Sequence, residues 1–130
     1  MNAAIVHRGP DAGSVVALGR CALGYRRLSV VDLVTGDQPV RNEDSTITAV
    51  FNGEIYGFAA IRERLARAGH DVPGSGDTPV IPHLLEEHDI LFPRELDGMF
   101  AIAAWDARRG RLVLARDRIG KKPLLYTELP

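Results

Sequence analysis

The chain has 130 residues, a formal net charge of −1, and apolar and charged fractions of 45% and 25%. That balance, in a length inside the roughly 50–250 residues of one domain, supports a single packed core and excludes a disordered chain or a strongly basic nucleic-acid binder. The one cysteine, Cys21, excludes an intrachain disulfide. No apolar run approaches the roughly 20 residues of a membrane helix, and no basic-then-apolar leader follows Met1, so the expectation is a cytoplasmic protein with neither nucleic acid nor membrane as partner.

In chain order, Ser14–Leu28 is strand-like with a break or bulge at Gly19. Thr46–Ile55 reads as a strand running into a bend at Asn52-Gly53. Phe58–Ala68 puts Phe58, Ile61, Leu65 and Ala68 on one helical face with Arg and Glu opposite, and Gly69 follows where a helix C-terminal glycine belongs. Asp77-Thr78-Pro79 opens a second helix, with Asp77 or Thr78 as cap and Pro79 in the first turn, running to about His88. Met99–Trp105 has the length and apolarity of a buried strand. The turn Asp106–Gly110 leads into Arg111–Ala115 as a hairpin, and Pro123–Tyr126 is predicted as a last strand. The short basic runs, Arg108-Arg109 with Arg111 and Lys121-Lys122, read as solvated turns. Hairpins with two helices inserted together predict an α+β fold in one domain, residues 1–130.

Three places carry candidate chemistry, each with a plainer local reading. Asn52 and Gly53 can aim an amide side chain and a backbone N–H at one point, the arrangement that stabilises an oxyanion; by local sequence alone Asn-Gly is better read as a hairpin turn. Arg27 can clamp a carboxylate through two parallel hydrogen bonds, or be a surface arginine. Asp77 can hold an ammonium group, or be a helix cap.

Taken together, HRGPD (His7–Asp11), YRRLSVVDL (Tyr25–Leu33), QPV (Gln38–Val40), FNGEIY (Phe51–Tyr56), GDT (Gly76–Thr78), LDGMFAIAAWD (Leu96–Asp106) and ARDRIGKKPLLY (Ala115–Tyr126) resemble, in order and in spacing, the glutaminase domain of asparagine synthetase B and its relatives. That family is the class II, N-terminal-nucleophile type of glutamine amidotransferase, and the resemblance covers the whole chain. It implies an αββα four-layer sandwich of two antiparallel sheets. It also implies roles: Arg27 for the α-carboxylate of L-glutamine, Asp77 for its α-ammonium, Asn52 and Gly53 for the oxyanion hole, and Glu54 and Val30 as pocket lining, chiefly through backbone. A free amino acid amide offers one anion, one cation and one amide, and this set supplies a partner for each.

Family members open Met-Cys-Gly, and the processed N-terminal cysteine attacks the amide with its own α-amino group as base. Here Met1 is followed by Asn2, and MNAAIVHRGPD resembles the family's helix before HRGPD. The expectation is therefore a sandwich incomplete at its N-terminus, with the nucleophile absent, no hydrolysis by the chain alone, and marginal stability unless a partner or homodimer covers the exposed strand edge. Cys21, inside a predicted strand, reads as a buried structural thiol. His7, His70, His83 and His88 show no metal-ligand spacing, so no metal site is expected. Gly76 stands where relatives usually have serine, and Pro79 where they usually have glutamate. No SGGxDS-type loop occurs, so ATP and magnesium are expected only in a synthetase domain acting in cis or in trans, and no cofactor in this chain. The alternatives are a non-catalytic glutamine-binding or interaction module, or the N-terminal domain of a β-lactam or lasso-peptide type of synthetase.

Overall fold

A computed structural model describes residues 2–27 and 38–128. The fold is α+β and built on two antiparallel sheets, as expected. A 3-10 helical stretch, Asn2–Arg8, kinks at Ile5 and leads into the hairpin β1 (Ala12–Leu18) and β2 (Cys21–Arg27). Gly19 takes φ +66° and, with Arg20, reverses the chain, so of the expected break or bulge the structure has a break, a full turn that divides one long segment into two paired strands.

The second sheet has four strands in the order β3 (Val40–Arg41), β4 (Ile47–Tyr56), β5 (Asp97–Asp106) and β6 (Arg111–Arg116). Its period-2 pattern is legible in the burial. Ile47, Ala49 and Ile55 of β4, Phe100, Ile102 and Ala104 of β5, and Val113 of β6 are buried together against the helices. The opposite face carries Asn52 and Glu54, both exposed.

Helix α1 (Phe58–Arg67) buries Ile61 and Leu65, four residues apart, with Phe58 packed at the margin; Ala68 is exposed beyond the helix end. Helix α2 (Val80–His88) is buried through Val80, Ile81, Pro82, His83, Leu84 and Leu85. It is apolar nearly all round because it packs against the sheet and against the following 3-10 stretch, Asp89–Glu95, whose Phe92 is fully buried.

Three further expectations are corrected. β4 runs without a turn through Asn52-Gly53, because both residues pair with β5, Asn52 with Ala101 and Gly53 with Phe100. Pro123–Tyr126 is not a strand; Leu125 and Tyr126 are 92% and 80% exposed, and among the described residues no strand pairs with this segment to hold it extended. Cys21 is half-buried at the head of β2 rather than in the core, although burial still pushes its thiol up. The basic turns also do more than face solvent. Arg108, Arg109 and Arg111 pair with Glu86, Asp106 and Asp89, and the backbone N–H groups of Lys121 and Lys122 donate to Asp117.

Candidate active site at the open edge of strand β4

The site begins at an edge of the sheet. Among the described residues β3 pairs with β4 only at Thr48 and Ala49, and no described strand neighbours β4 beyond them on that side. There, side chains bond to the β4 backbone. Gln38 accepts from the N–H of Phe51 through Oε1 at 2.6 Å and donates Nε2–H to the Phe51 carbonyl at 2.9 Å, imitating a paired residue. Four residues on, Asp77 Oδ2 accepts from the N–H of Ile55 at 2.8 Å.

In a strand, alternate residues direct their N–H groups to the same edge. Phe51 and Ile55 are therefore capped on one edge, and by the same alternation Gly53 directs its N–H to that edge, between the two caps. Asn52 and Glu54, in turn, share the exposed face of the sheet. A backbone donor, an amide side chain and a carboxylate are thus assembled around one strand segment.

Glycine at 53 is required by close approach. A Cβ there would lie 2.0 Å from the Met99 carbonyl oxygen and 2.8 Å from Phe100 Cα. Across the ladder Gly98 pairs with Ile55, and a Cβ at 98 would lie 2.2 Å from the Glu54 carbonyl oxygen. The two glycines let β4 and β5 close against each other where Asn52-Gly53-Glu54 is presented.

Asp77 is not the side-chain cap of α2. Its backbone carbonyl accepts from the Val80 N–H at 3.3 Å, while its carboxylate is turned to the strand. Its Oδ1 accepts from the buried Thr78 hydroxyl at 3.3 Å. A carboxylate has about four lone-pair sites, so these two bonds leave capacity for a cationic ligand.

Arg27 is the half-buried last residue of β2, and its carbonyl accepts from the Asp11 N–H at 3.1 Å beside a bridge from Pro10. The HRGPD segment thus braces the end of the strand that carries this arginine, and β2 lies against β4. Val30 lies outside the described residues. Gln38 joins the site although local sequence gives it no role there; its signal is the QPV motif, Gln38–Val40, directly before β3. A cleft of about 320 Å³, lined by Arg94, Gly98, Arg116 and Asp117 among others, lies elsewhere: none of Arg27, Asn52, Gly53 and Asp77 lines it.

Cys21 stands apart from this arrangement. It begins β2, which Arg27 ends, and the strand's rise separates them by about 20 Å.

The sequence profile of the family described as glutamine amidotransferase domain matches residues 1–130. Among similar proteins, the glutamine-hydrolyzing asparagine synthetase 2 of Bacillus subtilis is 44% identical over 126 residues, which cover 97% of this chain and 17% of that protein. The glutamine-hydrolyzing asparagine synthetase 3 of Arabidopsis thaliana is 46% identical over 118 residues, 91% of this chain and 20% of that protein. The amidase chyE of Penicillium rubens is 41% identical over 122 residues, 93% of this chain and 18% of that protein. The chain spans about one fifth of the length of these relatives.

Proposed function

Because this chain belongs to the glutamine amidotransferase domain family, we propose that the edge of β4 binds L-glutamine as the amide donor of a glutamine-hydrolysing asparagine synthetase. The observation that carries this reading is the placement of Asp77 on the Ile55 N–H, one alternate strand position from Gly53. On this reading Asp77 receives the α-ammonium and Arg27 the α-carboxylate. The Asn52 side-chain amide and the Gly53 N–H are the two donors to the side-chain carbonyl oxygen, and Glu54 and Val30 line the pocket through backbone. A preset donor that strengthens its bond as the oxygen becomes negative stabilises an amide-hydrolysis transition state by about 3–4 kcal/mol.

Binding and polarising are the tasks assigned to these residues. Attack on the amide needs a thiolate of the family type, and Cys21, about 20 Å along β2 from Arg27, is not proposed for it. Ammonia released at this site would serve a synthetase domain, in cis or in trans, and ATP and magnesium belong to that domain. No described helix is long and apolar enough to cross a membrane, and the single cysteine suits the cytoplasm, where we place the protein.

Calorimetric titration of the chain with L-glutamine, and with L-glutamate as control, tests the reading. Saturable binding of glutamine that Arg27→Ala and Asp77→Ala each weaken at least tenfold is expected. A folded wild-type chain that takes up no glutamine, or whose uptake neither substitution alters, would overturn it.

A further inference from the structure

On another part of the helical layer, four side chains with metal-ligand chemistry converge from three chain segments. Glu43 lies in the turn between β3 and β4, His70 follows α1, and His83 and Glu86 stand three residues apart on α2. One ligand atom from each falls within 4.8 Å of all the others. We propose that Glu43, His70, His83 and Glu86 form a structural site for a divalent transition metal of the zinc class.

His83 supplies the independent pointer. Its ring is fully buried, and neither nitrogen makes a hydrogen bond among the described residues. Nδ1 comes within 3.3 Å of Glu43 Oε2 but not in hydrogen-bonding geometry. A buried imidazole left without a partner is costly unless something occupies its lone pair.

The spacing is within reach of a small tetrahedral ion. Ligands about 2.0–2.1 Å from zinc stand about 3.3 Å from one another; His83 Nδ1 lies 3.3 Å from Glu43 Oε2 and His70 Nδ1 3.1 Å from Glu43 Oε1, so the Glu43 carboxylate faces both imidazoles, and one atom from each of the four residues falls within 4.8 Å of the rest. His70 has the outer support that metal-bound histidines usually have. Its Nε2 faces Glu87 Oε1 at 3.0 Å, which favours Nε2–H and leaves Nδ1 directed at the cluster. Glu43 is itself positioned by the Asp71 N–H at 2.7 Å. Glu86 accepts from Asn42 Nδ2 at 2.9 Å and from Arg108 at 2.7 Å. The Arg108 charge makes Glu86 the weakest of the four ligands, so the histidines and Glu43 carry most of the affinity. A cleft of about 310 Å³, lined in part by His70, Asp71 and Val72, adjoins the cluster at His70. Two imidazoles with carboxylates select zinc-like ions over magnesium, which prefers oxygen and water.

Titration of the chain with Co²⁺ tests this, because a tetrahedral Co²⁺ centre has intense visible bands that an octahedral or solvated ion lacks. The expected result is one Co²⁺ per chain with tetrahedral bands, bleached by Zn²⁺ and not by Mg²⁺. His70→Gln and Glu43→Gln, both outside helices and strands, should weaken binding at least tenfold, and Glu87→Gln roughly tenfold through the orientation of His70. His83→Gln should abolish binding; if it fails to fold, the His70 and Glu43 variants decide. A folded wild-type chain without tetrahedral bands, or uptake unchanged by His70→Gln and Glu43→Gln, would overturn the proposal.

Discussion

The carboxylate of Asp77 and the backbone N–H of Ile55 are joined at 2.8 Å, which ties the turn opening α2 to the strand that presents Asn52 and Gly53. One side chain therefore serves both the fold and, on the proposed reading, the substrate.

These two roles separate by substitution. Asp77→Ala leaves the Ile55 N–H without its acceptor and should cost about 1–3 kcal/mol of stability. Asp77→Asn keeps an oxygen acceptor and loses the charge. It should melt near wild type while losing glutamine affinity at least tenfold, as read by thermal denaturation beside calorimetry. Equal loss of binding and stability in both variants would mean that Asp77 acts only as a brace.

Gln38 substitutes for a strand, so its removal should act on one backbone segment. Gln38→Ala deletes both bonds to Phe51 and should cost about 1–2 kcal/mol. Amide hydrogen exchange should rise at Phe51 while the amides of β5 and β6 keep their protection. Unchanged exchange at Phe51 would show that the edge is held by other means.

The paired glycines should not accept a side chain. Gly53→Ala and Gly98→Ala each drive a methyl into a carbonyl oxygen of the facing strand. Each should destabilise by about 1–3 kcal/mol or more, measured by urea denaturation. Gly110→Ala, in a turn at φ +60° with nothing within 4 Å, measures the cost of left-handed backbone strain without a clash, against which the two strand positions are compared.

Acid stability should depend on Asp117. Burial alone would push this carboxyl up, but the backbone N–H groups of Lys122, Lys121, Phe100 and Gly120 outweigh it and hold its pKa at about 2. An unfolded aspartate titrates near 3.9. The folded value is the lower one, so its stabilising contribution is fully present above about pH 4 and is lost as pH falls toward 2. Asp117→Asn should lower stability at neutral pH and flatten the decline of melting temperature between about pH 4 and 2. A variant whose decline matches wild type in that window would place the acid sensitivity elsewhere.

Much of this protein is legible without its coordinates. The α+β class, α1 with its Ile61–Leu65 stripe, and the β5–β6 hairpin around Asp106–Gly110 follow from periodicity and turn chemistry, which are local properties. The motifs that place the chain among glutamine amidotransferases are linear, and so were readable in order. The tertiary structure decided what depends on partners. Asn52-Gly53 is a strong turn signal, yet it stays extended because β5 supplies a ladder, and Gly98 in that strand allows the close approach. Pro123–Tyr126 has strand composition but pairs with no described strand, and it forms no strand. Asp77 sits where a helix cap would, but an unpaired N–H on β4 is a better-placed donor for its carboxylate. The cluster of Glu43, His70, His83 and Glu86 was the hardest to see. Only the His83–Glu86 spacing, three residues on one helical face, hints at it, and the other two ligands arrive from separate segments. Sequence alone determines which contacts a segment can make; which of them form is settled by the neighbours that packing brings within hydrogen-bonding reach.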